Sequence, residues 1–101
     1  MNNIEAKTTV QQIGRMNLLA ISGGRVRLED GILVLPVGQG YRVEIELTGR
    51  DDYTVRRVFV RAGKKFIKGE VERVYCDNIG EVAYVASCYV NREFGYEEVG
   101  V

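Results

Sequence analysis

Residues 41–68 constrain the fold of this chain more than any other stretch. In its first part, residues 41–48, apolar and polar side chains alternate without a break. An alternation with a period of two residues is typical of a half-buried antiparallel strand. Residues 49–52 combine glycine with aspartate and predict a turn, and residues 53–62 form a second β-like run. We therefore predict a β-hairpin at the centre of the fold.

The apolar pattern changes phase inside the second run of this hairpin. Val55 and Val58 are three positions apart, so a regular strand would place them on opposite faces. We interpret the change as a β-bulge at Arg56 and Arg57, because a bulge restores the register and increases the local twist. A strand that is buried on both faces near Val58–Val60 is the alternative.

Further strands are predicted on both sides of the hairpin. Asp30 and Gly31 separate two β-like runs, and this dipeptide favours a type I′ turn, in which both central residues need a positive φ. Residues 32–35 are apolar throughout, which predicts a strand covered on both faces. Residues 66–74 predict a last strand with a weak point at Gly69, because glycine has no side chain to pack.

The N-terminal part predicts one helical turn and one further strand. Thr8 or Thr9 can cap a short helical turn that ends at Gly14. Residues 1–7 are then a loose tail before this turn. Residues 16–21 form a compact apolar run with glycines behind it, and we interpret the run as a strand.

The C-terminal part predicts a helix over residues 79–92. Asn78 and Glu81 have the spacing of a capping box, and the apolar residues that follow form one stripe at helical spacing. A strand is the competing interpretation, because apolar residues in this segment also alternate. The predicted fold is therefore a single α+β domain over residues 1–101. It has a short N-terminal helical turn, an antiparallel meander of about five strands and a C-terminal helix packed on one face, with loose tails at 1–7 and 95–101.

Composition and charge exclude several classes of function. The 14 Lys and Arg residues balance 14 Asp and Glu residues, so no overall field favours nucleic acid or membrane as a partner. The chain has no histidine and two cysteines, which do not supply the four ligands of a zinc site. No membrane span, glycine-rich phosphate loop or catalytic set of residues is recognisable. We expect no cofactor, no metal and no enzymatic activity.

A basic segment between residues 53 and 68 is the leading candidate site. It carries six cations and no acid, with aromatic residues nearby, and could contact a partner protein or a nucleic-acid backbone. Alternatively, these cations pair with glutamates of neighbouring strands and only form a solvated sheet face. An exposed tyrosine on the predicted C-terminal helix is a further candidate, because tyrosine is frequent at interfaces. The candidate partner-binding residues are Tyr53, Arg56, Arg57, Arg61, Lys64, Lys65, Lys68 and Tyr84.

Three segments, VQQIGRMNLLAISGGRV, LTGRDDY and VYCDNIGEVA, occur in a fixed order. In that order and spacing they resemble small accessory proteins of bacteriophages and other mobile elements, a set with no assigned activity. Ser22 stands where these proteins often have threonine, and Arg57 where they often have an apolar residue. The matching residues are Gln12, Gly14, Ala20, Gly23, Leu47, Gly49, Asp51, Tyr53, Val74, Tyr75 and Asp77.

The resemblance implies a phage or mobile-element context inside a bacterial host, and hence the cytoplasm. We expect a non-catalytic binding protein that acts by protein–protein contact and inhibits or redirects a host factor or defence complex. A small nucleic-acid-binding module that uses the hairpin 53–68 is the alternative. A homodimer is open as well, because exposed edge strands can pair between chains.

Overall fold

The computed structural model describes residues 1–90 and 93–95. This part of the chain folds into one antiparallel sheet with helices packed on one of its faces. The sheet has five strands in the order of the chain, which is a meander, and the α+β prediction is confirmed. None of the helices in the described ranges is long and apolar enough to cross a bilayer. The elements are α1 Asn3–Ile13, α2 Arg15–Ser22, β1 Arg27–Glu29, β2 Ile32–Gly38, β3 Tyr41–Leu47, β4 Tyr53–Arg61, β5 Lys64–Val74 and α3 Ile79–Ser87.

The predicted turn between β1 and β2 is confirmed. Asp30 and Gly31 have φ values of 50° and 78°, as a type I′ turn requires, and the flanking residues Glu29 and Ile32 are paired. Three consecutive β2 residues, Leu33 to Leu35, are buried, so this strand is covered on both faces as its continuous apolar run predicts.

The N-terminal tail prediction is wrong, because residues 3–13 form a complete helix. The Asn2 side chain accepts a hydrogen bond from the Glu5 amide, and the Glu5 carboxylate accepts one from the Asn2 amide. This reciprocal capping box starts α1 well before the predicted caps at Thr8 and Thr9. Gly14, with φ 90°, ends α1 as predicted.

The predicted strand over residues 16–21 is also wrong, because this segment is the helix α2. Gly14 starts α2, and Gly23 ends it in the left-handed conformation. The apolar run does not reflect burial on two faces, since Met16 and Leu19 are exposed while Ile21 is buried. Only one side of α2 packs on the core, and that is compatible with a short helix.

The three helices cover one face of the sheet, which we call the helix face. The opposite face, which we call the open face, has no helix on it within the described residues. The core lies between the helix face and the helices. Its buried members are Ile13, Ile21, Leu33, Leu35, Val43, Ile45, Tyr53, Val55, Val74, Ile79, Ala83, Ala86 and Phe94.

The C-terminal helix is confirmed, and the competing strand is excluded for residues 79–87. Asn78 precedes the helix, but its side chain accepts a hydrogen bond from the Tyr75 amide instead of forming the predicted capping box with Glu81. The helix ends at Ser87, earlier than the predicted 92. Residues 91, 92 and 96–101, which include most of the predicted loose tail, lie outside the described residues.

The bulge predicted at Arg56 and Arg57 of β4 is absent, because both register shifts between β4 and β5 add the extra residue to β5. β4 pairs with β3 without interruption. Against β5, the register shifts between Arg57 and Val58, which pair with Gly69 and Ile67. Lys68 is therefore the extra residue, and β4 keeps its phase. Val58 is buried on the open face, in agreement with the alternative interpretation, whereas Phe59 and Val60 are only partly buried.

Two glycines permit close contacts between elements. Phe94 lies directly over Gly69, where any Cβ would overlap the Phe94 backbone. The predicted weak point of β5 is thus a contact site for the segment after α3. At Gly80, a Cβ would lie 2.5 Å from the Ile13 carbonyl oxygen and 2.6 Å from Nδ2 of Asn17. Both atoms belong to the α1–α2 corner, so Gly80 sets how closely α3 approaches it.

Replacing Gly80 with alanine tests this packing. In an open helix the change would be favourable, but here we expect a loss of about 1 to 3 kcal/mol in the free energy of unfolding, because the methyl group forces the helices apart. Urea denaturation measures the difference. The control is Gly49→Ala, where a Cβ meets no atom within 4 Å. Equal stability of the two variants would contradict the account.

Candidate functional site

The six cations of the predicted basic segment do not form one surface. Arg56 and Lys65 lie on the open face, where they pair with glutamates. Arg57 points the other way, into the core below α3. The remaining three, Arg61, Lys64 and Lys68, are exposed at one end of the helix face.

On the open face, cations and carboxylates of neighbouring strands neutralise one another. Arg56 lies between Glu46, at 2.8 Å, and Glu70. Partial burial lowers the pKa of Arg56, but the hydrogen bonds to the two carboxylates outweigh it and the pKa is raised. Lys65 reaches the nearly buried carboxylate of Glu44 at 2.9 Å. This pairing matches the alternative in which the charged strand face is neutralised internally.

The ion pairs continue across the open face to β1. Arg42 donates to Glu44 and contacts Glu29, which also accepts a hydrogen bond from Arg27. The hydrogen bond from Arg27 is the main reason that the pKa of Glu29 is lowered. A cavity of about 250 Å³ lies between these groups and Lys65. Four of its charged lining residues, Glu29, Arg42, Glu44 and Lys65, pair with one another, and Asp30, which also lines the cavity, forms no ion pair with a described residue.

Arg57 acts inside the protein and not at a partner surface. Its Nε donates to the Ala86 carbonyl at 2.7 Å, and its Nη2 donates to the Val85 and Cys88 carbonyls at 3.0 and 3.4 Å. These carbonyls end α3, where a helix has unpaired acceptors and a negative dipole end. The guanidinium also lies over the Phe94 ring. With 5% exposure, Arg57 is not accessible to a partner as the sequence suggested.

Tyr53 is likewise an internal link, and Tyr84 is a surface residue. The Tyr53 hydroxyl donates to Oε1 of Gln12 at 2.6 Å and lies 3.0 Å from the Thr9 hydroxyl, so it ties β4 to α1. Tyr53 is buried, which removes it from the candidate binding residues. Tyr84 is exposed on α3, as predicted.

A row of four aromatic side chains crosses one end of the helix face, and we call it the aromatic patch. Tyr89, which follows α3, stacks on Tyr41 of β3 with ring centroids 4.0 Å apart and an interplanar angle of 11°. Tyr41 contacts Phe59 of β4 at 4.9 Å, and Phe59 contacts Phe66 of β5 at 6.3 Å. Phe66, at 45% exposure, is the most open of the four.

The three exposed cations border this patch, and we call them the cationic rim. Side chains alternate along a strand, so Arg61 and Lys64, which pair at the β4–β5 turn, lie on the same face as Phe59 and Phe66. The bulge at Lys68 brings its ammonium group 5.9 Å from the Phe66 ring centroid. The candidate site is therefore an aromatic patch with cations on one side.

The predicted basic segment 53–68 contains five of the seven residues of this site, namely Phe59, Arg61, Lys64, Phe66 and Lys68. Tyr41 and Tyr89 lie outside that segment. The sequence feature that could have indicated Tyr41 is its phase in the alternating run, which places it on the same face as Val43 and Ile45. In the hairpin, Tyr41 is paired with Phe59. No sequence pattern indicates that Tyr89 reaches it, because that contact depends on where α3 ends.

The described residues show no constellation for metal binding. No group of three or more Cys, Asp or Glu side chains in residues 1–90 and 93–95 is placed to hold an ion. Cys76 and Cys88 are free thiols, and the Cys88 thiol donates to the Tyr84 carbonyl at 3.3 Å. The chemistry that the described surface offers is that of contact: ring faces, ring edges and positive charge.

Comparison of the chain with protein-family models, with curated proteins and with solved structures gives no significant match. The function is therefore argued from the geometry of the site.

Replacing Arg57 with methionine tests its role below α3. Methionine keeps much of the apolar stem but removes the hydrogen bonds that the guanidinium donates to the α3 carbonyls, so we expect a loss of about 2 to 4 kcal/mol in the free energy of unfolding. The control is Arg61→Met, an exposed position where the change should stay within about 0.5 kcal/mol. Thermal or urea denaturation of both variants measures the difference. Equal destabilisation by the two substitutions would show that Arg57 does not stabilise the end of α3.

Replacing Glu44 with glutamine tests the ion pairs of the open face. The amide removes the charge that Arg42 and Lys65 share, so we expect a loss of about 1 to 3 kcal/mol. Glu72→Gln is the control, because Glu72 is exposed and has no ion pair with any described residue; it should stay within about 0.5 kcal/mol. A destabilisation no larger than that of the control would show that the network contributes nothing measurable.

Proposed function

We propose that this protein is a non-catalytic binding protein that acts by protein–protein contact through the aromatic patch and its cationic rim. The observation that carries the proposal is the composition of this surface. Partly exposed aromatic residues and arginine are the residue types enriched at protein interfaces. Here they lie together on strands and on the end of a helix, so the partner meets a preformed surface.

The open face supports this choice by contrast. On the open face, the Arg42, Arg56 and Lys65 side chains are each paired with a carboxylate. Charges that are already neutralised contribute little to a new contact. The rim residues Arg61 and Lys64 form no ion pair with any residue in the described ranges, so a partner can still neutralise them.

The biological context of the proposal rests on the resemblance to phage and mobile-element accessory proteins. In that context the partner is a protein of the bacterial host cytoplasm, such as a component of a defence complex, which binding would inhibit or redirect. The sequence segments that carry the resemblance lie mainly in α1, α2, the β3–β4 turn and the start of α3. They maintain the scaffold, while the aromatic patch presents the contact surface.

Single-stranded nucleic acid is a second candidate ligand, and one observation favours it. The open ring of Phe66 lies beside three cations, a combination that can stack a base and neutralise phosphates. With three cations, the logarithm of the association constant should fall with the logarithm of salt concentration with a slope of about −2. A gel-shift assay at low salt tests this candidate directly.

Capture experiments with a matched pair of variants test the proposed function. Immobilised wild-type protein, Phe66→Asp and Tyr75→Asp are exposed to nuclease-treated lysate of a bacterial host. Both positions are exposed, but Tyr75 lies outside the aromatic patch. We expect mass spectrometry to identify one protein that is retained by the wild type and by Tyr75→Asp and is lost with Phe66→Asp. Retention that is independent of Phe66, or present only without nuclease, would contradict the proposal.

A further inference from the structure

We infer that the aromatic patch binds an acidic segment of a partner protein that carries an aromatic or aliphatic anchor residue. This inference rests on the proposed function and specifies the chemistry of the partner. The anchor would pack on Phe66, and the carboxylates of the segment would pair with Arg61, Lys64 and Lys68.

The first step is the unequal distribution of neutralising charge. The open face supplies a carboxylate to each of Arg42, Arg56 and Lys65 at hydrogen-bonding distance. Across the described part of the chain, no carboxylate pairs with the three cations of the rim. Uncompensated cations on one side of an apolar surface steer acidic partners and disfavour basic ones.

The second step is the apolar surface beside these cations. The Phe66 ring is exposed at one end of the patch, while its other side leans on Phe59. At the opposite end, Val90 is 74% exposed directly after Tyr89. A single apolar side chain that packs on Phe66 removes its own surface and the exposed part of the Phe66 ring from water, and this burial favours binding.

The third step is that the rings are poorly available to bases. Tyr41 and Tyr89 stack face to face on each other, and Phe59 is held between Tyr41 and Phe66. Nonspecific single-strand binding uses a free ring face for each stacked base together with a groove of phosphate contacts. The patch has one open ring and three cations, which provide few stacking faces and few phosphate contacts. They are sufficient to bind one anchor residue and a few carboxylates.

Fluorescence anisotropy with defined probes tests the inference. The probe is a labelled short peptide of alternating glutamate and glycine with one central phenylalanine. Comparison probes are the same peptide with lysine in place of glutamate, and a labelled oligothymidine. We expect the full chain to bind the acidic peptide, to bind the lysine peptide at least tenfold more weakly, and not to bind oligothymidine at physiological salt.

Charge reversal locates the site. The double variant Lys64→Glu/Lys68→Glu should weaken binding of the acidic peptide at least tenfold, and Phe66→Ala should weaken it as well. Lys7→Glu, at an exposed position on α1, should leave the affinity unchanged, and thermal unfolding checks that every variant is folded. The inference is overturned if the wild type does not bind the acidic peptide, or if the double variant binds it as tightly as the wild type does. Preferential binding of oligothymidine also overturns it and assigns the patch to nucleic acid.

The capture experiment separates the two proposals. A host protein whose retention requires Phe66 but survives Lys64→Glu/Lys68→Glu supports the proposed function and refutes an acidic partner segment. Retention that requires neither Phe66 nor the lysines refutes both. Loss of retention in the Phe66 variant and in the double lysine variant, with the acidic peptide competing for the site, supports both.

Discussion

The buried guanidinium of Arg57 is the interaction on which the rest of this structure depends. It joins the middle of the sheet to the end of α3 through hydrogen bonds to the carbonyls of Val85, Ala86 and Cys88, and it lies over the ring of Phe94. A charge in the core is costly unless it is satisfied. Here the unpaired acceptors at a helix end supply that satisfaction, so the cation and the helix terminus stabilise each other.

The position of α3 in turn sets the aromatic patch. Because α3 ends above β4, the following Tyr89 reaches Tyr41 and extends the aromatic row from the helix end across the sheet. The basic segment is divided in the same way. Arg57 lies in the core, Arg56 and Lys65 pair with carboxylates on the open face, and the rim residues are exposed. The six cations that follow one another closely in the sequence therefore do not form one basic surface. Only three of them form a cationic rim, and that rim lies beside aromatic rings.

Local patterns were sufficient for the strands and for α3. Three local patterns predicted the strands correctly: the strict alternation in β3, the Asp30–Gly31 turn and the continuous apolar run of β2. In each case, residues adjacent in sequence determine the backbone conformation. The helices α1 and α2 were missed for different reasons. The capping box at Asn2 and Glu5 was present but precedes a weakly apolar segment, and the apolar run in α2 is short enough to suit either a strand or a helix.

The site was only partly predictable because charge in a sequence does not reveal its partner. Arg57 has the phase of the buried Val55 on β4, so burial was the better inference from phase. The opposite assumption, that an arginine among cations is exposed, gave the wrong surface. Lys68 joined the rim only because the extra residue of the bulge falls at that position, and no sequence signal fixed it there.

The central claim is that the basic segment is divided, with Arg57 enclosed and Arg61 at the surface. Footprinting of the native protein with an arginine-selective dicarbonyl reagent, read out by mass spectrometry, tests it most directly. The account predicts rapid modification of Arg61 and modification of Arg57 only after denaturation. Equal reactivity of the two arginines in the folded protein would contradict the account.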